Sequence, residues 1–279
     1  MSAMSLVLAS EGEGFTAPGP IDFEFPPIPG LGFGREILGF GALPGADGIT
    51  KPMALLVLGG ILTFLVLRMA AAKGEMVPGR VQYVGEMGYS FVRNTLGRDV
   101  IGSERFMRYV PFLVTLFFFI LINNLFAAVP LLQFPTMSRS AFPYTLAILV
   151  WAVYMGVGIK EHGLLKFFRI QTMPPGVPKA MYVLLIPLEF LSNILVRPIT
   201  LGLRLFANMF AGHLLVVLFA VGGEYLLLEA SVALKPVGLL AWVMFILIGF
   251  LELLVQFLQA FIFTILTALY ISSSLEEEH

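Results

Sequence analysis

Long apolar runs separated by short polar breaks dominate the chain. Pro52 to Ala70 is almost unbroken apolar sequence, with Arg68 near its end. Tyr109 to Leu132 is a second such run, whose few polar residues include Thr115, Asn123 and Asn124, and a third extends from Pro143 to Ile159. Crossing about 30 Å of hydrocarbon takes roughly 20 apolar residues, so each run predicts a membrane-spanning helix. Residues 73–108 have a different character: Val81, Val84, Phe91, Val92 and Leu96 recur at helical spacing among Arg80, Glu86, Arg93 and Arg98. That pattern predicts an amphipathic helix lying on the membrane surface. A short loop with Pro135 and Arg139 precedes the third run, and a basic loop over 160–179, broken by Pro174, Pro175 and Pro178, follows it.

The last hundred residues carry two longer apolar stretches, Met181–Val221 and Val237–Ser272. The first predicts one helix of about 40 residues, or about 60 Å at 1.5 Å per residue. Gly222, Gly223, Glu224, Glu229 and Pro236 mark the reversal between the two stretches. Helices twice as long as the hydrocarbon is thick must incline, bend or break. The expected architecture is an all-α membrane protein of about five membrane helices plus a surface amphipathic helix. Its last two helices form a long, steeply tilted antiparallel hairpin over 181–272. Residues 1–51 are Pro/Gly-rich and mildly acidic, so they read as an extramembrane arm, or alternatively as a disordered tail, ahead of an integral membrane domain over 52–279.

Composition supports lipid as the solvent. Hydrophobic residues make up 58% of the 279, charged residues only 13%, and the mean hydropathy is +0.91. A soluble domain is nearer half apolar and a quarter charged. A net charge of -1 without a basic stripe excludes a nucleic-acid binder, and the low charge content excludes a disordered chain. With no cysteine there is no disulfide framework or thiolate metal site, and the three histidines are scattered. No phosphate-binding glycine motif occurs, so nucleotide chemistry belongs to a partner, and no cofactor is implied. Met1 to Phe15 lacks the basic and apolar regions of a cleavable signal peptide. Lys73, Arg80, Arg93, Arg98, Arg105 and Arg108 in one connection, and Lys160, Lys166, Arg169 and Lys179 in another, outnumber the lone Arg139 between them. Basic connections face the cytoplasm, which predicts an outside N-terminus and a cytoplasmic C-terminus.

Against this apolar background, Glu189, Arg197, Arg204, His213 and Glu252 stand out within 181–272, together with Asn193, Asn208, Gln256 and Gln259. An ionisable side chain at mid-membrane costs a few kcal/mol or more, so each is a functional candidate. At 100° per residue Asn193, Arg197, Arg204 and Asn208 fall in one stripe about 60° wide, and Glu252, Gln256 and Gln259 share another. In an antiparallel pair, residues at one level have numbers adding to a constant. Arg204 with Gln259, Asn208 with Gln256 and His213 with Glu252 add to 463, 464 and 465, giving three polar rungs in one register. Structural alternatives stand beside each residue. Arg197 could snorkel to the surface, Glu189 could be interfacial, and Asn123 and Asn124 could be interhelical glue. Arg204 could form a structural salt bridge, and His213 could simply pair with Glu252.

The run Pro187-Leu188-Glu189-Phe190-Leu191-Ser192, then Arg197-Pro198, then Leu201 through Arg204-Leu205-Phe206-Ala207-Asn208-Met209-Phe210-Ala211-Gly212-His213, resembles subunit a of the F-type ATP synthases. The closing Leu258-Gln259-Ala260-Phe261-Ile262-Phe263, and Asn124-Leu125 with Pro130, resemble further elements of that family, and the likeness covers roughly residues 80–279. The resemblance implies that Arg204 is the essential arginine facing a rotating c-ring. It places His213 and Glu252 near an outer aqueous half-channel, in an arrangement that some members carry exchanged. Asn208, Gln259 and Asn124 become neighbouring polar positions of the proton route. Glu189 stands one residue off the family's usual acid position, and Ala127 occupies a site where some members have an acid.

What the resemblance implies is a proton-translocating stator subunit, not itself an enzyme, in a bacterial plasma membrane. Its partners would be the c-ring, peripheral-stalk b-type subunits, membrane lipid and protons. Two offset half-channels, the outer through His213, Glu252 and Asn124 and the inner near Glu189 and Asn193, would be separated by Arg204, with Gln256 on the polar stripe. An autonomous ion transporter or channel is the alternative, although no internal repeat of the transporter kind is visible. A purely structural scaffold is the other, and it predicts that Arg204, His213 and Glu252 tolerate apolar replacement.

Overall fold

Helices form where the apolar runs predict them. A computed structural model of the chain describes residue 15 and residues 17–19, 50–72, 79–102, 105–129, 132–173 and 181–275. Helix α1 is Lys51–Ala72 and α2 is Arg80–Phe91, which continues through a π-helical turn, Val92–Arg98. Helix α3 is Val110–Leu125, ended by a 3-10 turn, Phe126–Ala128, and α4 is Ala141–His162. Helix α5 is Leu164–Thr172, α6 is Tyr182–Phe190, and a second π-helical turn, Leu191–Val196, leads into α7, Arg197–Leu228. Helix α8 is Lys235–Leu275. Among the described residues there are five stretches long and apolar enough to cross a membrane: Lys51–Ala70, Val110–Ala128, Ala141–His162, Tyr182–Leu228 and Val232–Leu275. The all-α membrane architecture with two long final helices is therefore as expected. The 41 residues of α8 alone would reach about 60 Å, twice the hydrocarbon thickness.

The chain divides into two compact units. One comprises 1–59, 123–139 and 208–256, and the other 60–122, 140–207 and 257–279. Most of the expected arm over 1–51 lies outside the described residues, as do Lys73, Pro130, Pro174, Pro175, Pro178 and Lys179. One described residue of the arm, Phe15, stacks in the first unit with its ring centroid 5.5 Å from that of Tyr225 on α7.

Four features refine or depart from the expectation. The reversal lies at 229–234, not 222–236, because Gly222, Gly223 and Glu224 remain inside α7. Gly223 is there for closeness rather than for a turn, since a Cβ on it would come within 2.7 Å of the Trp242 indole. The stretch from 181 runs as one long helix to Leu228, as expected, but takes a wider π-helical turn at Leu191–Val196. The basic loop after α4 contains a helix, α5. It is set off by Gly163 at φ 76° and pinned by Phe167, which is 1% exposed. The short loop before α4 is packed into the protein, with Phe134, Thr136, Met137 and Ser138 all buried.

Helix α2 is amphipathic, as its spacing predicts, but protein covers its continuation. Val92 and Leu96 are fully buried, and in the second unit the Phe91 ring lies 5.9 Å from Phe117 of α3 and 5.8 Å from Phe261 of α8. The α4–α5 corner is equally tight, since a Cβ on Gly158 would overlap the Phe167 ring. Gly158→Val should therefore cost about 1–3 kcal/mol by overpacking. The measurement is the temperature at which the solubilised complex loses this subunit, which should fall. An unchanged temperature would mean that the corner is loose.

Candidate functional site

In the first unit, α7 and α8 meet through small residues. A Cβ on Gly212 would touch Cγ and Oε1 of Glu252, each at 3.7 Å, and one on Gly238 would meet Leu227 at 2.9 Å. Together with Gly223 and Trp242, these pairs have residue numbers adding to 464 or 465, the register expected for the polar rungs. Small residues let backbones approach where lipid supplies no hydrophobic drive.

Glu252 and Gln256, one helical turn apart on α8, both point inward, with Gln256 only 1% exposed. The fully buried Asn124 donates from Nδ2 to the Gln256 carbonyl at 3.4 Å. Asn124 Oδ1, Glu252 Oε1 and Gln256 Oε1 are buried without a donor among the described residues. Buried acceptors of this kind are normally satisfied by water or by a proton. The cluster is held from behind by Asn123, whose Oδ1 accepts from Thr136 Oγ1 at 2.8 Å and whose amide occupies the space that a Cβ on Gly59 would need. The His213 ring meets Phe134 edge to face at 6.2 Å, and Asn208 is exposed.

In the second unit, Leu201 and Leu205 are buried, and a Cβ on Gly202 would come within 2.9 Å of Tyr144 on α4. Arg204, two residues on from Gly202 and so about 200° round the helix, is exposed. A guanidinium held at that depth facing lipid is costly, so its face suits a polar partner. Gln259 is buried on α8 at 1% exposure. The Arg197 guanidinium packs against protein, 5.3 Å from the Tyr270 ring centroid and with Nη1 buried. Asn193 Nδ2 donates to the Gln171 carbonyl at 2.7 Å and to Glu189 Oε2 at 3.1 Å, and the Tyr154 hydroxyl donates to the Asn193 carbonyl at 3.0 Å. Thus Asn193 and Arg197 turn toward neighbouring helices while Arg204 and Asn208 are exposed, so the single stripe read from the sequence is divided.

The structure therefore brings Asn124, Glu252 and Gln256 together in one unit, and Glu189 with Asn193 in the other. Thr136, Tyr154, Gln171 and Tyr270 join these clusters without having stood out in the sequence. None carries a charge at neutral pH, and their only signal was a hydroxyl or amide needing a partner in an apolar setting. Between Glu189 and Arg197 the π-helical turn takes up one residue more than an α turn would.

The family described as the ATP synthase A chain matches residues 53–272. The ATP synthase subunit a of a Nocardioides species is 54% identical over 277 residues, covering 99% of each chain. That of Pseudarthrobacter chlorophenolicus is 41% identical over 278 residues, covering 100% of this chain and 99% of its own. The subunit a of Hyphomonas neptunium is 42% identical over 229 residues, covering 82% of this chain and 88% of its own. A match that begins in α1 and ends in α8, with relatives aligned from end to end, establishes that the chain belongs to the ATP synthase subunit a family, the non-catalytic membrane-sector subunits of the synthase complex.

Proposed function

We propose that this chain is the proton-translocating stator subunit of its ATP synthase. It offers two offset aqueous half-channels to a c-ring and keeps them apart with Arg204. The observation that carries the proposal is the buried Asn124–Glu252–Gln256 cluster, in which three acceptor oxygens have no donor among the described residues. Beyond the one interhelical bond from Asn124, the remaining acceptors of this cluster can take up protons or hydrogen-bond water. His213, Asn208 and Gln259 extend the polar path, and Glu189 with Asn193 serves the inner half-channel.

The physical logic follows from the cost of charge in lipid. A ring carboxylate must be neutral while it faces hydrocarbon. Opposite Arg204 it can ionise, because a fixed positive charge favours the carboxylate. Arginine suits this role because it stays protonated where lysine can lose its charge. A proton entering from one side then leaves on the other only after riding the ring. Each charge crossing 100 mV releases about 2.3 kcal/mol, so several must cross for one synthesis step.

In this reading residues 1–51 form an arm outside the membrane and residues 52–279 the integral domain, with 181–272 facing the ring and b-type subunits of the peripheral stalk as further partners. The N-terminus lies outside and the C-terminus in the cytoplasm of a bacterial plasma membrane, as the basic connections favour. ATP-driven acidification of inverted vesicles, comparing wild type with Arg204→Ala in assembled complexes, tests the proposal. Normal pumping by the variant would overturn it.

A further inference from the structure

We propose that Tyr154 and Asn193 are positioning residues that clamp the π-helical turn and thereby hold Glu189 on the inner proton route. The inference rests on the assignment of Glu189 to that route and adds residues which that assignment does not include.

Its origin lies in Pro198. Proline has no backbone N–H, and in a regular α-helix its ring would crowd the carbonyl four residues earlier, that of Ile194. The turn Leu191–Val196 avoids this by closing one residue wider, with the Arg197 N–H donating to the Ser192 carbonyl. The Asn193 carbonyl is then left without a backbone donor. Arg197, its α-helical partner, is committed to Ser192, and Pro198, its π-helical partner, has nothing to donate. Within an apolar span an unpaired carbonyl is expensive. The Tyr154 hydroxyl fills that need at 3.0 Å, from a ring that is 2% exposed and lies 5.6 Å from Tyr270.

With its carbonyl held by Tyr154 on α4, Asn193 has its amide free to work on two other elements. One contact goes to the Gln171 carbonyl at the end of α5 and the other to Glu189 Oε2. A side-chain amide has two N–H donors, so the carbonyl of α5 fixes the orientation in which the second donor reaches Glu189. Tyr154 acts through the backbone of Asn193, and Asn193 acts on the carboxyl group itself.

The test is ATP-driven pumping in assembled complexes, normalised to the amount of this subunit in the membrane. Tyr154→Phe removes only the hydroxyl, and Asn193→Leu keeps the side-chain volume but removes the amide. Each should slow pumping about threefold to tenfold, the rate equivalent of one lost hydrogen bond. Asn193→Gln restores a donor amide and should recover part of the loss, which filling space alone would not do. In combination with Glu189→Gln, either variant should slow pumping little further, since both act through the same carboxyl group. Wild-type rates in both variants, or effects that multiply with that of Glu189→Gln, would overturn the clamp while leaving the route through Glu189 standing. Normal pumping by Glu189→Gln alone would remove Glu189 from the route and the clamp with it. Should Tyr154→Phe fail to assemble, Asn193→Leu and its rescue decide the matter alone.

Discussion

Inverted vesicles carrying Arg204→Ala in fully assembled complexes are expected to show no ATP-driven acidification, a loss of at least about a hundredfold, the scale of removing a group that stabilises developing charge in a dry site. Arg204 is exposed, although Leu201 and Leu205 on either side of it in α7 are buried. Alanine there costs the fold little and removes a charge that is expensive to hold against lipid. A structural role for the arginine would therefore leave pumping intact or improve assembly, whereas a role in coupling predicts good assembly with no pumping. Arg204→Lys should retain little activity, because an ammonium is a point charge that deprotonates more readily when desolvated.

Glu252→Leu is the second large effect. It should lower pumping about a hundredfold, within the range usual for losing a positioned acid or base. Leucine is favoured at the centre of a span and glutamate is not, so insertion and packing should be no worse. The α7 residue facing Glu252 is Gly212, on which a Cβ would only reach ordinary contact with Glu252 at 3.7 Å. A scaffold predicts a complex at least as stable and equally active. A half-channel predicts a stable complex that pumps poorly, and proton uptake by vesicles separates the two. Full activity in Glu252→Leu would remove the carboxyl group from the outer route.

The spans were legible because solvent sets them. A run such as Tyr109 to Leu132 has one stable destination whatever its neighbours do, and α3 forms within it. The polar edge of α8 was legible for a related reason, since Glu252, Gln256 and Gln259 recur at the helical period and their burial follows that face. Contacts across long separations were not legible. Asn124 reaches Gln256 over 132 positions, and Thr136 reaches back to Asn123 from a segment that reads only as a short loop. Gly222 and Gly223 show the ambiguity most directly. The same residue type serves a chain reversal or a close helix contact, and the Trp242 ring decides for the second. Pro198 is similar: its missing N–H demands an adjustment, but a wider turn is tolerable only because Tyr154 stands ready to bond the freed carbonyl.

The sequence by itself determined the solvent, the number and order of the spans, and the family, because apolar length, charge placement and a dense motif are properties of consecutive residues. Only the tertiary structure decided which polar atoms meet, where α7 turns back, and that a π-helical turn separates Glu189 from Arg197. Those outcomes depend on whether a donor from a distant helix arrives within hydrogen-bonding reach, and in an apolar interior that arrival determines which backbone geometry is affordable.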